Sequence, residues 1–146
     1  MSVKKILVAV DGSDPSFNAS DYAIELAKNN NAELIVLFIV SSVPSSDFEY
    51  ANIGRGKEIE TVESEKAHQV VDKVKQKGAE NKVSVKTAVL IQYTSVVKEI
   101  VEYAEKYKID MIVIGSKGKS GFKKLLLGSI ASGVVTYSHC PVLVVK

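Results

Sequence analysis

Apolar runs and amphipathic stretches alternate along the whole chain. Lys4–Val10 (KKILVAV) is nearly continuous in valine, leucine and isoleucine, which suits a strand covered on both faces. Asp11-Gly12-Ser13-Asp14-Pro15 breaks that run. Asp14 before Pro15 reads as a helix start, a capping carboxylate followed by proline at the first helical position. Phe17, Tyr22, Ala23, Leu26 and Ala27 then fall near helical spacing, and the helix they predict ends at Asn29-Asn30-Asn31. Glu33–Val40 (ELIVLFIV) is a second strand. Ser41–Lys57, with Pro44, Gly54 and Gly56, reads as a mobile loop, either a lid over a ligand or a plain variable surface loop. Glu58–Gly78 carries Val62, Ala67, Val70, Val71 and Val74 on one side, an amphipathic helix with Gly78 as its C-terminal cap. Val83–Ile91 predicts a more exposed strand, Ser95–Tyr107 a helix, Asp110–Ile114 a fourth strand, Ser129–Tyr137 a helix and Pro141–Val145 a fifth strand. Such alternation implies right-handed crossovers and an α/β fold, an open parallel sheet with helices on both faces, in one domain over residues 1–146.

Composition narrows the function classes. The 146 residues are 46% hydrophobic and 25% charged, with a formal charge of +2 from 19 basic and 17 acidic residues. That balance is too weakly basic for a dedicated nucleic-acid-binding module. A membrane span needs about 20 consecutive apolar residues, and no run approaches it. One cysteine forms no internal disulfide, and the N-terminal run lacks a small-residue cleavage site, so a cytoplasmic protein is expected.

Ligands of open α/β sheets bind beyond the C-terminal strand ends, where strand order reverses. Two loops occupy such ends: Asp11-Gly12-Ser13 after the first strand, and Gly115-Ser116-Lys117-Gly118-Lys119-Ser120-Gly121 after the fourth. Glycines of the second loop permit close approach and form anion-binding nests, and a Cβ on Gly118 or Gly128 is expected to fill phosphate space or force φ strain. Lys117 and Lys119 add charge, and Gly128-Ser129 opens a helix whose amides favour phosphate. A phosphorylated small molecule is the expected ligand, against the plainer reading of a solvated surface loop. The G-K-S at Gly118–Ser120 is no P-loop, because only two residues separate Gly115 from Gly118. Asp11 is either a turn former with Gly12 or a contact to ribose, base or metal. His68 reads as a solvent-facing helix residue, His139 and Cys140 make no recognisable metal site, and Cys140 reads as a small apolar residue.

These residues resemble the universal stress protein family across essentially the whole chain. The resemblance rests on KKILVAVDGS, ELIVLFIV, CPVLVV and the spacing Gly115-x2-Gly118-x9-Gly128-Ser129. That last pattern is similar to the motif of the family's ATP-binding branch. The resemblance implies a nucleotide-binding, flavodoxin/Rossmann-like sheet of order 3-2-1-4-5, with the first and fourth strands adjacent. It places Ala9 and Asp11 near the nucleoside and Ile39 against adenine. It sets Gly115 and Gly118 along ribose and phosphates, with Gly128, Ser129 and Ile130 on the phosphates. It further implies ATP, with magnesium held through the phosphates near Asp11, and a homodimer paired through Val142–Val145. Phe38 stands where many members have histidine, and Ala9 where some have proline. No general base or arginine finger is evident for phosphoryl transfer, since Arg55 is the only arginine. A nucleotide-dependent regulatory or stress-response protein is therefore expected. Slow ATP hydrolysis or phosphotransfer, or a partner-binding module with an empty pocket, are the alternatives.

Overall fold

The structure is a computed structural model that describes residues 2–41, 53–117 and 127–146, with 53–63 as backbone only. Its elements are β1 (Lys5–Val10), α1 (Asp14–Asn30), β2 (Glu33–Val40), α2 (Ile53–Glu80), β3 (Val85–Ile91), α3 (Val96–Lys106), β4 (Met111–Gly115), α4 (Ser129–Tyr137) and β5 (Val142–Val145). The strands form one parallel sheet in the order β3-β2-β1-β4-β5, as expected.

Strand periodicity divides the core into two layers. Ile6, Val8, Val10, Val36 and Phe38 point to the face covered by Ala19 and Ala23 of α1 and by Ala67, Val71 and Val74 of α2. Leu7, Ile35, Leu37, Ile112 and Ile114 point to the opposite face, under Ile100 and Ala104 of α3 and Ala131 and Val134 of α4. Both faces of β1 are therefore dry, which is why its sequence shows no polar alternation.

Helix ends depart from the expectations in three places. Ser13, not Asp14, caps α1: its hydroxyl accepts from Ser16 N at 3.3 Å, and Asp14 is the first helical residue. The serine stands one residue nearer the turn, where its backbone can stay extended. Helix α2 begins at Ile53, so Gly54–Lys57 is helical, while 42–52 of the expected loop lie outside the described residues. No proline follows Pro44 in this stretch, and helix propagation carries across two unfavourable glycines. Gly78 does not cap α2, which runs on to Glu80. The end is a Schellman motif: Val83 N donates to Gly78 O at 2.9 Å and Lys82 N to Ala79 O at 3.0 Å, with Lys82 left-handed at φ 61°. Asn31 (φ 52°) and Lys108 (φ 54°) end α1 and α3 in the same way. No helix among the described residues is long and apolar enough to cross a membrane.

Candidate functional site

A cavity of about 440 Å³ opens over the C-terminal ends of β2, β1 and β4. Its position follows from topology. The chain proceeds from β1 to β2 on one side, whereas β4 flanks β1 on the other, so the loops diverge and leave a crevice between them. Ala9, Asp11, Ile39, Gly115, Gly128, Ser129 and Ile130 all line this cavity, although more than a hundred residues of chain separate the first from the last. Gly118 lies outside the described residues, as do Lys119 and the rest of 118–126.

Apolar walls come from Leu37 and Ile39 of β2, Ile114 of β4 and Val96 and Ile100 of α3. Polar groups come from Asp11, Ser16, Lys66, Lys117 and Ser129. Asp11 is the one carboxylate among the described lining residues, against two ammonium groups, so the lining favours an anion. Such a volume, with mostly apolar walls and a few convergent polar groups, is that of a small-molecule site.

The Asp11 turn is built by its own side chain. Asp11 Oδ1 accepts from Ser13 N at 2.9 Å and from Ser13 Oγ at 2.5 Å. Gly12 between them takes φ +85°, a conformation costly for any residue with a Cβ. The turn thereby holds Ser13 where it caps α1. The turn-forming reading of Asp11 is therefore present in the fold, and Asp11 also lines the cavity.

At Gly128, against expectation, and likewise at Gly115, the close approach is to the protein's own chain. A Cβ on Gly115 would lie 3.0 Å from Pro15 O, and one on Gly128 would lie 3.0 Å from Ser116 O. That space is taken by the protein's own backbone rather than kept for a phosphate. Gly128 N also donates to Ser116 O at 2.8 Å, which closes the ends of the 117–127 segment. The two glycines thus anchor the start of α4 against the end of β4. Gly128 provides no side-chain cap for α4, so the positive end of this helix stands at the cavity wall without one.

His68 and His139 are exposed, as expected for His68. Cys140 packs against the α3/α4 core, as expected, with Sγ 3.4 Å from Ser138 Oγ. Among the described residues no three metal-ligating side chains gather. Lys66, Val96 and Ile100 were missed as lining residues. A signal for Lys66 existed: it stands four residues before Val70 on the inward side of its helix.

Residues 2–146 match the universal stress protein family. The chain belongs to that family. It is 39% identical over 143 residues to the universal stress protein MJ0531 of Methanocaldococcus jannaschii, covering 98% of this chain and 82% of the relative. The structure of the universal stress protein UspA from Lactobacillus plantarum superposes with a TM-score of 0.88 at 25% identity, covering 100% of this chain and 99% of that one. A universal stress protein solved in complex with cAMP superposes with a TM-score of 0.75 at 25% identity, covering 100% and 99%. In this universal stress protein domain, Phe38 is only 8% exposed and packs on the α1/α2 side while touching the cavity.

Proposed function

We propose that this chain binds ATP in the β2-β1-β4 cavity and acts as a cytoplasmic, nucleotide-dependent regulatory protein of the stress response. One observation carries the reading: an apolar slot at β2 and α3 and the uncapped start of α4 open into the same cavity. The slot suits a base stacked beside Ile39, with Ala9 and Asp11 at the nucleoside. Gly115, Gly128, Ser129 and Ile130 suit phosphates at a helix N-terminus. The Gly115-x2-Gly118-x9-Gly128-Ser129 spacing and the cAMP-bound relative support an adenine nucleotide. Magnesium fits as a phosphate-held ion with Asp11 as its one protein carboxylate, since Mg²⁺ keeps most of its waters in such sites. Calorimetric titration with ATP, ADP and AMP, with and without magnesium, tests the reading, and the absence of heat for all three overturns it. Product analysis after long incubation separates binding from slow hydrolysis.

The same reading includes a homodimer. Among the described residues β5 is a sheet edge paired only to β4, and Val142, Leu143 and Val144 are half-buried in a strand with no charge in its middle. Such an edge invites pairing, and an isologous contact closes at two copies. Tyr137 and Val135 on the adjoining α4 are 70% and 47% exposed, which extends the apolar surface a second copy would cover. Light scattering should give twice the 15.8 kDa chain mass. Val144→Pro, which removes a ladder donor, should shift the population to monomer. A monomeric wild type at tens of micromolar overturns the dimer.

A further inference from the structure

Helix α2 reaches the cavity through one described residue, Lys66, and its placement is not incidental. The helix descends antiparallel to the strands, from the C-terminal edge of the sheet to the N-terminal one. It rests on the Asp11–Gly12 turn: a Cβ on Gly12 would lie 3.3 Å from Val70 Cγ2. Ala67, Val71 and Val74 below are buried in the core. Lys66 is one turn above Val70 on the same side, and helical side chains lean toward their own N-terminus. The packing of Val70 on Gly12 therefore sets Lys66 beside the turn, where it lines the cavity mouth. It arrives from the side opposite α4, whose start forms the other wall.

We infer that Lys66 is a specificity-determining residue of this cavity, one that makes affinity depend on the charge of the bound nucleotide. The inference rests on the nucleotide reading given above. A lysine on a flexible stem acts as a point charge rather than as a fixed hydrogen-bonding fork. Its contribution therefore scales with ligand charge: negligible for a nucleoside, larger for a monophosphate, largest for a triphosphate. The start of α4 and the backbone near Gly115 hold a phosphate wherever it is attached, whereas Lys66 favours the longer, more highly charged tail. Because Lys66 is exposed and makes no ion pair among the described residues, its replacement leaves the fold as it is.

The test is a set of dissociation constants for adenosine, AMP and ATP, measured without magnesium on wild type, Lys66→Met, Lys66→Arg and Lys75→Met. Lys75 lies on the exposed side of α2 and reports any general effect of lost charge. Lys66→Met should weaken ATP by about tenfold, AMP by less and adenosine by under about twofold, the lower range for a charge-assisted contact. Lys66→Arg should restore most of the ATP affinity, and Lys75→Met should match wild type. Adding salt should narrow the gap between wild type and Lys66→Met for ATP. Equal affinities in wild type and Lys66→Met for all three ligands overturn the assignment while leaving the nucleotide site standing. An equal loss for adenosine and ATP also overturns it. A wild type that binds none of the three overturns the nucleotide reading, and the role of Lys66 with it.

Discussion

Gly78→Ala should destabilise the protein, against the usual direction of that change. Alanine is better than glycine in a helix interior by about 0.8–1.0 kcal/mol, and Gly78 is interior to α2 with no left-handed φ. The added methyl, however, would sit 2.3 Å from Val85 Cγ2 and 3.6 Å from Val85 Cβ. Comfortable carbon contacts begin near 3.5 Å, so the overlap exceeds an ångström. Val85 begins β3 and packs against the α1/α2 core, and its branched side chain has little rotamer freedom. The relief must come from moving α2 away from β3. Overpacking of this severity costs about 2–3 kcal/mol, and the propensity gain returns about 1, leaving a loss of about 1–2 kcal/mol. Urea unfolding at unchanged m-value measures it, and at this chain length each kcal/mol moves Tm by roughly 2–4 °C. Gly78→Ala combined with Val85→Ala should be more stable than the sum of the two single changes, because Val85→Ala deletes the clashing methyl. Lys82→Gly, at the left-handed position that ends the same helix, should instead stabilise by about 0.5–1 kcal/mol. A Gly78→Ala protein as stable as wild type, or strictly additive changes at 78 and 85, would refute the packing argument.

Three further outcomes are expected. Ser129→Ala, an exposed change at the cavity wall, should leave Tm unaltered and weaken ATP by roughly ten- to a hundredfold, the worth of one hydrogen bond to a charged group, read by calorimetry. Asp11→Asn should keep the turn, since an amide oxygen still accepts from Ser13, and should lose the magnesium dependence of ATP binding. Asp11→Ala should in addition lower stability by about 1–2 kcal/mol in urea melts, through the two lost bonds to Ser13. Burial, with Tyr107 and Glu33 adding, holds the Tyr103 phenol above its ordinary 10.0. The fold favours the neutral form, so this stability is present below pH 10.0 and lost as pH rises through the folded value; Tyr103→Phe should flatten the alkaline fall in urea midpoint.

The strands were legible because a parallel sheet covered on both faces writes itself as unbroken apolar runs, and β1 and β2 are such runs. Glycine roles were not legible, because a left-handed cap and a close approach both demand a missing Cβ. Gly78 serves approach to Val85, Gly115 approach to Pro15 and Gly128 approach to Ser116, while the left-handed helix ends fall on Asn31, Lys82 and Lys108. Of these three only Asn31 carries a turn signal of its own, since lysine has none. The start of α2 was hidden for a related reason: Gly54 and Gly56 read as loop residues although the helix includes them.

Only part of the cavity lining was named from the sequence, and its assembly depends on a strand neighbour that spacing does not reveal. β1 and β4 must lie side by side and in one register, with Val8 against Val113, for Ala9 and Ile114 to face the cavity together. A slip of one residue would turn one strand's set to the opposite face. Apolar patterning is a weak guard against that slip here, because β1 and β4 are apolar on both faces and either phase buries them. The register is pinned instead at the far end of the sheet by a polar clamp. Asp110 Oδ2 accepts from both Lys4 N and Lys5 N at 2.9 Å, while Asp110 N donates to Lys5 O at 2.9 Å. A carboxylate holding two adjacent amides is satisfied in one alignment only, and a slip would leave the part-buried Lys5 amide unpaired at about 1–3 kcal/mol. Asp110 is thus a structural acid at the closed end of the sheet whose effect appears at the open end, where it sets which side chains line the cavity.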